Sequence, residues 1–146
     1  MTIQASLTEL VEVAYRHAAA EGAGDLAGTL ATLEDEPVYE LYPAGLRLVG
    51  MDRTRRYYEH FFAEVAGRTV DYQMLTEWVG APGLAQEYEI WLRRDDGSIG
   101  QFRVFSILKF GRTLLSGERL YADDEFFRIL FGPLWAELEP INAGAQ

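Results

Sequence analysis

Helical periodicity in the first half of the chain, four β-rich runs in the second and a high apolar content together predict an α+β fold. The architecture expected is a strongly curved antiparallel sheet wrapped around three helices from the N-terminal half, with an apolar pocket left between them. A chain of 146 residues, 49% hydrophobic and 13% aromatic, suits one domain with its own core. That domain is expected over residues 1–135, with 136–146 a frayed C-terminal tail.

Leu7, Leu10, Val11, Ala14, Tyr15 and Ala18 recur at three- and four-residue spacing, which predicts the first helix. Ser6 or Thr8 can cap its start, and Gly22 and Gly24 punctuate its end. Asp25 is placed to cap a short second helix over 26–33, with Leu26, Leu30 and Leu33 as its stripe. Pro37 stops helix, so 38–42 reads as a strand ended by Pro43-Ala44-Gly45. A second strand-like piece, 46–49, leads to Gly50. Asp52 is a plausible cap for a third helix running to Val65, whose apolar face holds Tyr57, Tyr58, Phe61 and Phe62.

From Thr69 the period changes to two. Residues 70–79, 85–94, 101–110 and 113–121 form four long β-rich runs. Their separators include Asp95-Asp96-Gly97-Ser98, where Asp-Gly supplies the positive φ of a hairpin turn. A last short helix, 125–131, follows Asp123 and Asp124.

Charge excludes several classes of function. With 13 Lys and Arg against 23 Asp and Glu, the net charge is −10. Binding to nucleic acid or to anionic membrane surfaces is disfavoured, because both depend on cationic side chains. The absence of Cys removes disulfides, thiolate metal sites and thiol nucleophiles, and two His leave little for zinc. No phosphate loop or metal-ligand spacing is present, so neither cofactor nor metal is expected. The first residues lack a basic stretch before an apolar run, and no segment approaches the ~18 apolar residues of a membrane span. A soluble cytoplasmic protein is the expectation.

Three segments carry a family resemblance. They are Ala18-Ala19-Ala20-Glu21-Gly22-Ala23-Gly24-Asp25-Leu26, then Val38-Tyr39-Glu40-Leu41-Tyr42-Pro43-Ala44-Gly45 with the following Arg55-Tyr57-Tyr58 helix, and Gly117-Glu118-Arg119-Leu120-Tyr121-Ala122-Asp123. In order and spacing the chain resembles the NTF2-like superfamily, which includes ketosteroid isomerase and the SnoaL-like polyketide cyclases. The resemblance implies the cone-shaped, cystatin-like fold and a homodimer formed through the outer sheet face. Against the isomerase pattern, the oxyanion tyrosine falls on His17, the supporting tyrosine on Tyr58, the base aspartate on Tyr42 and the second acid near Ser106. Two carboxylates are therefore replaced, and ketosteroid isomerisation is not expected. Against the cyclase pattern, Asp123 takes the place of an acid/base aspartate.

Each candidate has a plainer structural reading beside the chemical one. His17 reads as a pocket hydrogen-bond donor or as a satisfied core histidine. Glu40 shares strand parity with Tyr42, so it reads as a pocket carboxylate or as the ion-pair partner of Arg55 or Arg56. Asp123 reads as a proton carrier or as a helix cap. Glu118 is the second carboxylate of its strand, facing with Leu114, Ser116 and Leu120 if no bulge intervenes. Asp123, Glu40 and His17 are thus the catalytic candidates; Tyr42, Tyr58, Phe62, Trp78, Tyr88, Ser106 and Glu118 are the ligand-binding ones. The function expected is cofactor-independent acid/base chemistry of isomerase, cyclase or hydrolase type on an apolar small molecule. The alternative is a non-catalytic module of the same fold that binds a hydrophobic ligand or dimerises.

Overall fold

A computed structural model describes residues 3–142. In the first half, helices α1 (Leu7–Gly22) and α2 (Leu26–Leu30) are followed by strands β1 (Leu33–Tyr42) and β2 (Leu46–Val49) and then by helix α3 (Met51–His60). The second half is a meander of β3 (Thr69–Gly80), β4 (Gly83–Arg93), β5 (Ile99–Phe110) and β6 (Leu115–Tyr121), then α4 (Asp124–Phe131) and the short β7 (Glu139–Pro140). All seven strands form one open sheet in the order β3-β4-β5-β6-β1-β2-β7. The helices cover its inner face, where Leu84, Leu92, Phe102, Val104 and Leu120 meet Ala14, Tyr58, Phe126 and Phe127 in the core.

Helix α1 starts on a full capping box, with Ser6 accepting from the Glu9 amide and Glu9 accepting from the Ser6 amide. Its buried stripe is Leu10, Val13, Ala14 and His17, rotated from the one expected: Leu7 and Tyr15 are exposed. Helix α2 ends three residues before the expected 33. Thr32 turns its hydroxyl back onto the Thr29 carbonyl at 2.6 Å and gives its own carbonyl to the Leu115 amide, so the chain leaves α2 into the sheet. Pro37 therefore lies inside a strand, at the irregularity where β1 loses register with β6. Gly50, not Asp52, caps α3; Asp52 sits in the first turn and pairs with Arg56. Beyond His60 the helix widens into a π-helical turn, Phe61–Val65.

The sheet is antiparallel except where β1 runs parallel to β6. That pairing needs a close approach, and Gly117 permits it. A Cβ at Gly117 would stand 1.9 Å from the Val38 carbonyl oxygen, and its φ of 135° is one that other residues rarely adopt. On the other side of β6 the register with β5 shifts between Lys109↔Gly117 and Phe110↔Leu115. This bulge breaks the alternation assumed for β6: Glu118 and Leu120 reach the inner side and Leu115 is buried, while Leu114 and Ser116 do not line the cavity there. The C-terminal segment expected to fray is held as far as it is described. β7 pairs with β2, Ile141 donates its amide to the Gly45 carbonyl, and Glu137 binds Arg56 at 2.5 Å.

Replacing Gly117 with Ala is expected to destabilise the protein by about 3 kcal/mol, from a backbone clash added to an unfavourable φ. A urea melt beside Ser116→Ala, one residue away at a roomier position, checks this.

Candidate functional site

A cavity of about 590 Å³ lies between the inner face of the sheet and the helices. Its walls are largely apolar: Tyr57 from α3 and Phe61 just after it, Tyr72 and Met74 from β3, Tyr88 from β4, and Phe126 from α4. At one side the polar groups gather. α1 delivers His17 and Glu21 one turn apart, β5 delivers Ser106 and β6 delivers Glu118.

His17 is 1% exposed and fully partnered. Its Nδ1 lies 2.8 Å from Thr32 Oγ1, and its Nε2 lies 3.2 Å from Glu21 and 3.1 Å from the Tyr58 hydroxyl. The Thr32 proton is already committed to the Thr29 carbonyl, so Thr32 can only accept from the ring. Nδ1 therefore carries a proton in either charge state, and Nε2 is the atom that titrates. With Nε2 bare, Tyr58 donates to it and Tyr39, 2.6 Å away, donates to Tyr58. With Nε2 protonated, the ring donates to Glu21.

Burial works against the imidazolium, but the Glu21 hydrogen bond and charge, with the Glu118 charge behind them, outweigh it and raise the His17 pKa. Glu118 is shifted further. Desolvation first and the nearby Glu21 charge second push its carboxyl up to about 8, opposed by His17 and the Ser106 hydroxyl. Tyr39, Tyr57, Tyr58 and Tyr88 are pushed well above the ordinary phenol range by burial, so they act as neutral hydroxyls. The site thus holds a carboxylic acid that keeps its proton at neutral pH, beside an imidazole poised to exchange one.

Several candidates stand elsewhere. β1 turns Tyr39 and Leu41 inward, so Glu40 and Tyr42 share the outer face of the sheet, opposite to expectation. Glu40 is bound by Lys109 at 2.7 Å, with Arg119 at 3.7 Å, and not by Arg55 or Arg56. Despite desolvation, Lys109 and Arg119 lower its pKa. Arg56 is taken instead by Glu137 and Asp52. Tyr42 stacks on Tyr121 with ring centroids 5.3 Å apart, and Trp78 is an exposed outer-face residue near Phe105. Asp123 is the α4 N-cap, accepting the Phe126 amide at 2.8 Å, and does not line the cavity. Phe62 stacks behind Tyr58 and outside the cavity lining. His17, Tyr88, Ser106 and Glu118 are the candidates that come together at the cavity, with Tyr58 hydrogen-bonded behind His17. Glu21, Thr32, Tyr39 and Tyr57 join them without having been singled out. Glu21 left a trace in the sequence, at i+4 from His17 on one helix, and Tyr57 lay on the apolar face of the third.

No family model matches the chain, and no curated protein matches it in sequence. Solved structures do. An NTF2-like protein of unknown function from Cytophaga hutchinsonii superposes with a TM-score of 0.63 at 12% identity, over 77% of this chain and 97% of that one. Another from Burkholderia xenovorans gives 0.60 at 19% identity, over 80% and 84%. A Bacillus subtilis protein named as a candidate isomerase gives 0.64 at 15% identity, over 86% and 94%. The fold is NTF2-like. In this NTF2-like chain, no group of His, Cys, Asp and Glu among the described residues is arranged to hold a metal ion. No helix among the described residues is long and apolar enough to cross a membrane.

Two outcomes follow from the polar cluster. Thr32→Val removes the acceptor of His17 Nδ1–H, so the ring's ¹⁵N shifts should leave the Nδ1–H pattern and its pKa should fall, while Thr32→Ser keeps both. Glu118 and His17 both bind their proton more tightly in the folded chain than in the unfolded one. Their contribution is therefore full at low pH and is lost as pH rises through their folded values. Between about pH 5 and 8, Glu118 alone tilts stability downward by at most ~1.4 kcal/mol per pH unit. Denaturant melts across that range should show this slope, and Glu118→Gln should flatten it and be the more stable protein at pH 8.

Proposed function

We propose that the protein is a small acid/base enzyme of SnoaL-like type, moving a proton on an apolar small molecule held in the cavity without a cofactor. The observation that carries this reading is the convergence of Glu118, His17 and Glu21 at one end of an aromatic cavity of about 590 Å³. Glu118 serves as the proton carrier in place of Asp123 and Glu40. In its acid form it hydrogen-bonds to, or protonates, an oxygen of the bound molecule. His17 Nε2 takes or returns the second proton, steadied by Glu21 and by the Tyr58–Tyr39 pair. Water exclusion by the Tyr57, Tyr88 and Phe126 walls strengthens these interactions.

The proposed partner copy docks on the outer sheet face. Trp78, Phe105, Tyr121 and Tyr42 form a row of rings there, 5.8, 5.9 and 5.3 Å apart in turn, on a face that also carries Ala85, Trp91 and Ile107 among charged residues such as Glu87, Glu89 and Arg103. A binding-only role for the cavity is the competing reading, and the same assay separates the two.

That assay is hydrogen–deuterium exchange at the α-carbon of 2-tetralone in D₂O, followed by proton NMR. The wild-type chain should exceed the buffer rate, and Glu118→Gln should lose ~10²-fold or more of the excess. Asp123→Asn, which preserves a helix cap, should stay within about twofold of wild type. A wild-type rate equal to buffer, or a Glu118→Gln variant with full activity, overturns the enzyme reading.

A further inference from the structure

The ionisable groups on the cavity wall are two carboxyls, one imidazole and three phenols; no Lys or Arg is among the lining residues. The cations nearest in sequence to Glu118 and Leu108 are Arg119 and Lys109, and both are drawn to Glu40 on the opposite face of the sheet. An anionic ligand would therefore leave water to meet Glu21 and Glu118 with no guanidinium or ammonium to receive it. A cationic one would meet a carboxyl on each of two elements, α1 and β6. It would also meet the rings of Tyr57, Phe61, Tyr72, Tyr88 and Phe126, a class of side chain whose π quadrupole attracts positive charge.

From this distribution of charge and rings we propose that the cavity selects a molecule bearing a cationic nitrogen on an apolar body, and rejects carboxylates, sulfonates and phosphates of the same size. The proposal rests on the cavity being the ligand site and names the class of molecule it takes. The nitrogen lies at the Glu21–Glu118 end, and the apolar body fills the space between Tyr88 and Phe126. Glu118 has none of the ion-pair partners that neutralise Glu40, Glu87, Glu89, Glu125 and Glu137; protonated in the empty cavity, it becomes a carboxylate when the cation arrives and releases its proton to solvent.

Three probes of one shape test it: phenyltrimethylammonium, its neutral isostere tert-butylbenzene, and benzenesulfonate. Binding is read by backbone amide shifts of Tyr88 and Ser106 in ¹⁵N-labelled protein. The expected result is at least tenfold tighter binding of the ammonium than of tert-butylbenzene, with no sulfonate binding. Glu118→Gln should erase the preference while still binding tert-butylbenzene, and Glu21→Gln should reduce it. Equal or better binding of tert-butylbenzene, or a preference unchanged in both variants, overturns the charge selectivity and leaves the cavity as a ligand site. No shift at Tyr88 or Ser106 with any probe overturns both. Cation selectivity without deuterium exchange on 2-tetralone removes the enzyme reading and keeps the ligand class.

Discussion

The contact between Gly117 and the Val38 carbonyl fixes how the two halves of the chain join. β1 belongs to the helical half and β6 to the meander, and they lie side by side in parallel only because β6 presents no side chain at that point. The same residue closes the bulge against β5, and the bulge decides which residues of β6 turn inward. Were β6 to slip by one position, Glu118 would face outward and Arg119 would enter the cavity, setting a guanidinium against Glu21. Site chemistry thus depends on a backbone register more than on any side-chain contact.

Inside that frame, the polar cluster is organised by what is already spoken for. Thr29 takes the Thr32 proton, which obliges Thr32 to take the His17 proton, which leaves Nε2 alone to face Glu21 and Tyr58. Glu118 stands outside this chain of bonds, and desolvation keeps its proton in place. A hydrogen-bonded imidazole and a desolvated acid therefore sit side by side, separated in behaviour by their partners.

Much of the fold was legible because periodicity and turn residues agree with it. The change of period at Thr69, the Asp95–Ser98 turn and the even-numbered inner face of β5 all translate directly into strands. Register was not legible. A single residue of register separates a pocket-facing Glu40 from the outward one observed, and a bulge that no single residue announces sets Glu118. Asp123 illustrates a different limit: a carboxylate at the end of a strand and at the start of a helix looks the same in sequence whether it meets a ligand or an amide, and here it meets the Phe126 amide. Thr32 was hidden because its importance comes from His17, to which it is joined only in three dimensions.

β3 is the outermost strand, bonded to β4 alone, and every one of its residues is exposed. Yet it supplies Tyr72 and Met74 to the cavity, and a single Tyr15–Glu77 hydrogen bond of 2.5 Å ties it to α1 across the opening. The acid/base groups hang from the opposite wall, on α1, β5 and β6, which are gripped from both sides. An outward swing of β3 would enlarge the room for a guest and leave the spacing of His17, Glu21 and Glu118 untouched. The two walls are thus held unequally: the strands that carry the chemistry are paired along both edges, and the strand that faces the guest is paired along one.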